Sequence, residues 1–228
     1  MPMIAANISQ PTLFDFSDSS SGVVELFPAV WSAVEGMTAP DVDTRREALD
    51  RLLELDAPRL SPLVASILAT RLVDPDFDLR FRVVRALGEV LSPSDPAKGT
   101  PEPVRLHVKF YLSHMRRREV YSLLQVADQY LAAESDVAAL LNVCSYAGVA
   151  LADIVSDRKA SLATRRQAIN FIGRVGFIDA IPALEKLAER LESRMNGQQT
   201  MPFAPPSESD EKALLPAVQA ALALLEIL

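Results

Sequence analysis

The fold of this chain is decided by one stretch, LSPLVASILATRLVDPDFDLRFRVVRALGEVL, which occupies residues 60–91. Its first half carries apolar residues at steps of three and four, the spacing that places side chains on one face of an α-helix. The turn at Asp74, Pro75 and Asp76 interrupts the pattern, because proline restricts the residue before it and lacks an N–H. The second half returns to helical spacing, and we expect Asp78 as its N-cap and Arg80 on its solvent-exposed side. The stretch therefore predicts two amphipathic helices that need neighbours.

The same pattern recurs on both sides of this stretch. DTRREALDRLLEL, from Asp43, aligns with DLRFRVVRALGEV, from Asp78, and ATRRQAINFIGRVG, from Ala163, fits the same frame. One arginine position recurs in all three copies: Arg45, Arg80 and Arg165. First helices that contain a proline recur as well, and their prolines are Pro28, Pro62 and Pro182. These matches in alternating order predict an array of helical hairpins.

The hairpins resemble HEAT repeats, two-helix units that stack into right-handed solenoids. The resemblance rests on the proline in the first helix, the acidic turn at Asp74 and Asp76, Arg80 early in the second helix, and the Ala-Leu-Gly sequence that ends at Gly88. A second copy, RRQAINFIG, ends at Gly173. The resemblance implies an all-α fold, a HEAT-like α-solenoid of about five antiparallel helical pairs. It implies an architecture and almost nothing about a reaction.

Composition divides the chain into a leader and one domain. Residues 1–21 are polar and serine-rich, and we expect a flexible N-terminal leader; the alternative is that its TLFDF segment packs against the first repeat or a partner. Residues 22–228 are expected to form a single HEAT-like solenoid domain. Long proline-rich loops are expected near 92–103 and 196–210.

The middle of the chain, residues 104–157, has the least regular spacing. Helices are expected near 104–113 and 117–131, followed by a third from about Ser135 to Val155 whose apolar side includes Cys144. Gly148 interrupts this third helix and is the expected position of a kink or a split.

Charge and cysteine content bound the function. The net charge of −7 argues against a general nucleic-acid binder, which usually carries a basic excess. A single cysteine fits a reducing compartment. No apolar run reaches the ~18 residues that a membrane span needs, and the N-terminus lacks the pattern of a signal peptide. We therefore expect a cytoplasmic protein without membrane contact.

Two stretches without acids, residues 104–118 and 158–174, supply the candidate binding residues. Second helices line the concave surface of HEAT-like stacks, so the resemblance implies a basic groove there that holds an acidic partner. The candidate partner-binding residues are Arg105, Lys109, Arg116, Arg117, Arg118, Arg165 and Arg166. One alternative stays open, namely that these arginines pair with acidic turn residues between repeats.

Catalytic patterns are absent from the sequence. It has no glycine-rich phosphate loop, nucleophile elbow or Ser/His/Asp arrangement. His107 and His114 share a helix face, but zinc would need two further ligands, and Cys144 is the one obvious thiol. We therefore expect neither enzymatic activity nor a cofactor or metal.

The prediction for function is a non-catalytic scaffold or adaptor that binds a protein partner. One alternative is nucleic-acid binding through a basic concave groove, as in the HEAT-like alkylpurine DNA glycosylases. Another is a subunit of a larger assembly that docks through the apolar C-terminal helix, residues 211–228.

Overall fold

A computed structural model describes residues 21–95, 99–195 and 210–227. Within these ranges the chain forms α-helices and short 3₁₀ turns and no β-strand, which confirms the all-α prediction. The α-helices are α1 (Ser21–Gly36), α2 (Val42–Glu54), α3 (Ala57–Leu60), α4 (Pro62–Thr70), α5 (Phe77–Leu91), α6 (Glu102–Ser113), α7 (Arg117–Gln129), α8 (Glu134–Val143), α9 (Ala147–Ser156), α10 (Leu162–Val175), α11 (Ile181–Met195) and α12 (Leu215–Leu225). The expected leader and the expected loop at 196–210 lie, apart from Ser21 and Asp210, outside the described residues.

Side-chain caps fix where several helices begin. The carboxylate of Asp41 accepts a hydrogen bond from the Thr44 amide at 2.8 Å, and so opens α2. At the start of α5 the cap is Asp76, whose carboxylate accepts from the Leu79 amide at 2.9 Å. The expectation of an N-cap at Asp78 was wrong by two residues. Asp78 lies in the first turn instead, where a negative charge is favourable beside the positive end of the helix.

The single helix expected from Ser135 to Val155 is two helices. α8 and α9 are bent by 115° across a break at residues 144–146, not at Gly148. The break is held from outside, because the Ser145 amide donates to the carbonyl of Ser113 at 3.2 Å. Gly148 lies inside α9, where an added Cβ would come within 2.1 Å of a carboxylate oxygen of Asp179. This glycine therefore permits a close approach and does not break the helix.

A core of leucine, valine and alanine side chains runs through the described chain. Packing is mostly between helices near each other in the sequence: α1 with α2, α4 with α6, α5 with α8, α9 with α10, and α12 with α10 and α11. α10 and α12 approach closely at Gly173, where an added Cβ would lie 2.8 Å from the Cα of Ala221. Fully burying one leucine side chain contributes about 1.5–3 kcal/mol, so this core supplies the main stabilisation.

The described part of the chain has no single helix that is long and apolar enough to cross a membrane. One pair of segments, Leu131–Val143 and Ala147–Ser156, has the length and composition of a membrane span, but only if the two halves are counted together across the bend between them. Both halves contribute fully buried side chains to the core, among them Leu140, Leu151 and Ile154.

The three aligned arginines are buried at the same place, the fourth residue of α2, α5 and α10. Arg45 donates to Asp74 at 3.0 Å, and both side chains are almost fully buried. The expectation that Arg80 faces solvent was wrong, because it is 6% exposed. Its guanidinium lies 3.8 Å from the ring centroid of Phe77 and donates to the side chains of Ser122 and Gln125. It is therefore enclosed between its own helix and α7.

Candidate functional site

Three of the seven candidate partner-binding residues are already paired within the chain. Arg105 pairs with Glu102 on its own helix. Arg117 donates to Asp157 at 2.6 Å, and Arg165 donates to Glu211 at 2.7 Å and to the carbonyl of Val155 at 2.9 Å. Arg165 is 3% exposed, so its expected place on a binding surface is corrected: its charge holds helices together. Arg117 and Arg165 therefore pair with acids elsewhere in the chain, as the alternative expectation described.

The other four candidates are exposed: Lys109, Arg116, Arg118 and Arg166. They are distributed over α6, the α6–α7 turn, α7 and α10. None of them makes a side-chain ion pair with the described residues. The predicted basic surface is thus reduced from seven cations to these four.

A different surface has the form of a binding site. A cavity of about 750 Å³ lies between the end of α2, α3 and the outer side of α5, and we call it the α2–α5 groove. Its apolar lining is Leu53, Pro58, Phe81, Ala86 and Val90. Its charged lining is Arg59, Arg82, Arg85, Asp56, Glu89 and Asp95. The groove therefore combines an apolar floor with equal numbers of positive and negative groups.

The spacing of α5 explains why the groove has this character. Phe81, Arg82, Arg85 and Glu89 follow each other at helical intervals, so they share the side of α5 that turns away from the core. Val84 and Leu87 lie on the opposite side and are fully buried. α5 is thus amphipathic, but one aromatic residue remains on its charged side.

The wall opposite α5 depends on an unusual backbone conformation. Asp56 has φ 53° and ψ 22°, the left-handed region that aspartate tolerates better than most residues. This turn stops α2 and starts α3, so Pro58 and Arg59 reach the groove. Arg59 then donates from Nε to the Asp56 carboxylate at 2.7 Å and from Nη1 to the carbonyl of Gly99 at 3.0 Å. The wall is therefore tied to the segment that leads into α6.

The floor of the groove is supported by aromatic stacking. The rings of Phe81 and Tyr130 lie 4.4 Å apart between centroids at an interplanar angle of 22°. Such pairs contribute about 0.5–1.5 kcal/mol beyond their burial. Phe81 is thereby held in one position while part of its ring still faces the groove.

Charges around the groove are paired but accessible. Arg82 pairs with Asp50, and Arg85 lies 3.2 Å from Asp136. Hydrogen bonds from the Ser94 side chain and amide lower the pKa of Glu89 and keep it ionised. Burial raises the pKa of Asp136, and Arg85 offsets this only in part. The more exposed of the two pairs is Arg82–Asp50, and surface pairs contribute about 0–1 kcal/mol, so a ligand can rearrange it at little cost.

A second cavity, of about 620 Å³, lies between α10 and α12. The apolar C-terminal helix buries Leu215, Val218, Ala221 and Leu225 against the chain itself. Its other side exposes Leu224 by 50%, and Ile227, two residues after the helix, is 83% exposed. One face of α12 is therefore satisfied internally, and the other remains apolar and open.

The position of α12 is fixed by a cluster of charges that the sequence did not reveal. Glu211 accepts hydrogen bonds from Arg165 at 2.7 Å, Arg190 at 2.6 Å and Arg194 at 2.8 Å. Burial acts to raise the pKa of Glu211, but the three arginines outweigh it and the pKa is lowered. In the sequence, the spacing of Arg190 and Arg194 by one helical turn indicates that they share a helix face. It does not indicate which acid they bind.

The described residues contain no group of three or more His, Cys, Asp or Glu side chains that could hold a metal ion. Nδ1 of His114 lies 2.8 Å from the carbonyl of Phe110, and Cys144 is buried, with a pKa raised by that burial.

Comparison with protein-family models, curated proteins and solved structures gives no match.

Proposed function

We propose that this protein is a non-catalytic interaction scaffold built from HEAT-like repeats, and that it binds a short amphipathic segment of a protein partner in the α2–α5 groove. The observation that carries the proposal is the groove itself, with an apolar floor open to solvent and charges of both signs around it. Amphipathic segments bind in such grooves through spaced apolar anchors, and polar groups at the edge fix their register.

The repeat architecture is supported by what the aligned arginines do. Arg45 binds an acid in the turn before α5, and Arg165 binds an acid in the segment before α12. In both cases an arginine at one helix position reaches forward to the start of a following helix. Arrays in which each unit contacts mainly its neighbours are typical of repeat proteins.

The balance of charges favours a polypeptide over nucleic acid. A phosphate backbone needs an excess of lysine and arginine along its path. The α2–α5 groove offers Arg59, Arg82 and Arg85 against Asp56, Glu89 and Asp95. An apolar peptide with one or two charges suits this lining better.

The test is capture of partners by the immobilised full chain and by an Ala86→Arg variant. Ala86 lies on the groove floor and is partly exposed, so a long charged side chain there fills the groove. The matched control is Ser193→Arg, an exposed position on α11. We expect a partner that the parent chain and the control both retain and that Ala86→Arg loses. Equal recovery on all three would contradict the proposal.

A second candidate function, a subunit that docks through α12, is favoured by the exposure of Leu224 and Ile227. It predicts a defined oligomer in static light scattering that Leu224→Glu combined with Ile227→Glu converts to monomer. A parent chain that is monomeric at high concentration would exclude it.

A further inference from the structure

We propose that the outward side of α6 is a second docking surface, and that it takes an acidic segment of a protein partner with large apolar side chains. We call it the α6 surface, and it consists of Leu106, Lys109, Phe110, His114, Arg116 and Tyr146. None of these residues lines the α2–α5 groove. The inference therefore goes beyond the proposed function and does not depend on it.

α6 is apolar on two sides, although only one of them packs against the chain. Val104, Val108 and Leu112 are buried in the core. Leu106 and Phe110, one turn apart, lie on the opposite side and are exposed by 55% and 65%. An amphipathic helix normally presents polar residues to solvent. Two large apolar side chains in these positions indicate a surface that packs against another molecule.

The ring of Phe110 is held in place although it is exposed. It lies 4.9 Å from the ring of His114, between centroids, at an interplanar angle of 62°. Nδ1 of His114 donates to the carbonyl of Phe110 at 2.8 Å, and this bond fixes the imidazole. An anchor that is already held in one conformation loses less entropy when a partner binds. Phe110 is therefore suited to be the central contact of the α6 surface.

The α6 surface continues around the C-terminal end of the helix. The Ser145 amide donates to the carbonyl of Ser113 at 3.2 Å, so Tyr146, which is 64% exposed, lies beside this end. Next to Phe110 there is a cavity of about 400 Å³, whose lining includes Ala69, Tyr111, Met115 and Arg116. The cavity offers room for an apolar side chain of the partner beside a guanidinium that can bind a carboxylate.

Positive charge surrounds these apolar residues. Residues 103–118 contain five lysines and arginines and no acid, whereas the whole chain has a net charge of −7. Arg105 and Arg117 are paired within the chain. Lys109 and Arg116 are exposed and make no side-chain ion pair with the described residues. A carboxylate of a partner therefore gains the attraction of these two cations without breaking an existing pair.

The acidity of the rest of the chain favours a short protein segment over a larger polyanion. Glu102 and Glu119 stand at the two ends of the basic stretch. Charges on a surface act over about 8 Å at physiological salt, so a peptide that covers the α6 surface meets mainly cations. A polynucleotide or an anionic membrane extends well beyond this distance and also meets the surrounding acids. Aromatic residues and arginine are, in addition, enriched at protein interfaces.

The test begins with a random dodecapeptide library that is displayed on phage and selected on the immobilised full chain. We expect enriched peptides that combine Asp or Glu with Leu, Phe or Tyr, and that the Phe110→Ala variant does not retain. Enrichment of neutral or basic peptides only, or of no peptide that requires Phe110, overturns the inference. Peptides of the α2–α5 groove are recognised by their loss on Ala86→Arg, so either proposal can fail while the other stands.

An enriched peptide is then synthesised with a fluorescein label, and its affinity for full-length chains is measured by fluorescence anisotropy. Phe110→Ala removes the central contact, and Lys109→Glu places a like charge beside the carboxylates of the peptide. Each change should weaken binding by about tenfold or more. The matched controls are Leu131→Ala, also at an exposed apolar residue, and Lys186→Glu, at an exposed lysine of α11; both should keep the affinity within about twofold. Equal weakening by variants and controls contradicts the inference.

The same chains decide between the classes of partner. Vesicles of equimolar phosphatidylcholine and phosphatidylserine are tested by sedimentation, and a labelled single-stranded oligodeoxythymidine is tested by anisotropy, both at physiological salt. We expect the parent chain to bind neither. Binding of either probe that Lys109→Glu abolishes and Lys186→Glu preserves would assign the α6 surface to a membrane or a nucleic acid, and would overturn the inference.

Discussion

Nη1 of Arg80 lies 2.9 Å from the hydroxyl oxygen of Ser122, so a buried guanidinium meets a neutral acceptor. At the equivalent position Arg45 meets the carboxylate of Asp74 at 3.0 Å. Burial lowers the pKa of Arg80, and the more distant Asp74 and Asp76 offset this only in part. One of the three aligned arginines therefore lacks the acid that each of the others has.

Supplying that acid should stabilise the chain. Gln125 accepts from Arg80 at 3.0 Å, and Gln125→Glu replaces the amide with a carboxylate of the same shape. A hydrogen bond between charged groups is about twice as strong as a neutral one, so we expect the free energy of unfolding in urea to rise by about 1 kcal/mol. The control is Gln129→Glu, an exposed position on the same helix, which should change it by less than about 0.5 kcal/mol. Equal effects would show that Arg80 gains nothing from the charge.

Removing the acid from Arg45 should have the opposite effect. Asp74→Asn leaves a buried guanidinium without its counter-charge, and breaking a buried pair costs about 3–5 kcal/mol. Glu54→Gln removes the partner of Arg51 in an exposed pair and should cost less than about 1 kcal/mol. The comparison is made by urea denaturation at pH 7. If Asp74→Asn lowers the free energy of unfolding by as little as Glu54→Gln does, the Arg45–Asp74 pair is not stabilising.

The Glu211 cluster predicts a dependence of stability on pH. The pKa of Glu211 is lowered in the folded chain, so its contribution to stability is fully present above the pKa of an unfolded glutamate, about 4.3, and is lost as the pH falls through the folded pKa. Glu211→Gln should therefore be less stable than the parent chain at pH 7, and the difference should shrink towards pH 3. Glu226→Gln, at an exposed position, should show neither effect. A difference for Glu211→Gln that does not vary with pH would contradict the assignment.

Contact between α10 and α12 predicts the outcome at Gly173. Alanine is favoured over glycine within a helix by about 1 kcal/mol. Gly173→Ala should nevertheless destabilise the chain, by about 1–3 kcal/mol, because its Cβ would lie 2.8 Å from the backbone of Ala221. Thermal unfolding followed by circular dichroism measures the change. A raised melting temperature would mean that α12 can move away without loss.

The all-α class could be predicted because a 3.6-residue period is a local property of the sequence. The break between α8 and α9 could not, because it depends on a bond from Ser145 to Ser113 on another helix, while Gly148 was the visible local signal. The burial of Arg80 was missed for a similar reason. Its acceptors, Ser122 and Gln125, lie 42 and 45 residues away.

The candidate site was harder to predict than the fold. Runs of arginine are visible in a sequence, but Asp157 and Glu211, which bind two of those arginines, are 40 and 46 residues distant. The groove was not predicted, because Leu53, Pro58 and Phe81 have the spacing of ordinary helix residues. They become a surface only when α3 turns away at Asp56.

The three arginines around Glu211 have a consequence for the continuity of the chain. They come from α10 and α11, and together with the apolar contacts of α12 they hold residues 210–227 against these two helices. A chain ending at Met195 and a separate peptide of residues 210–227 are therefore expected to reassemble when mixed. The last helix is thus suited to reversible exchange between fragments, as in a split reporter.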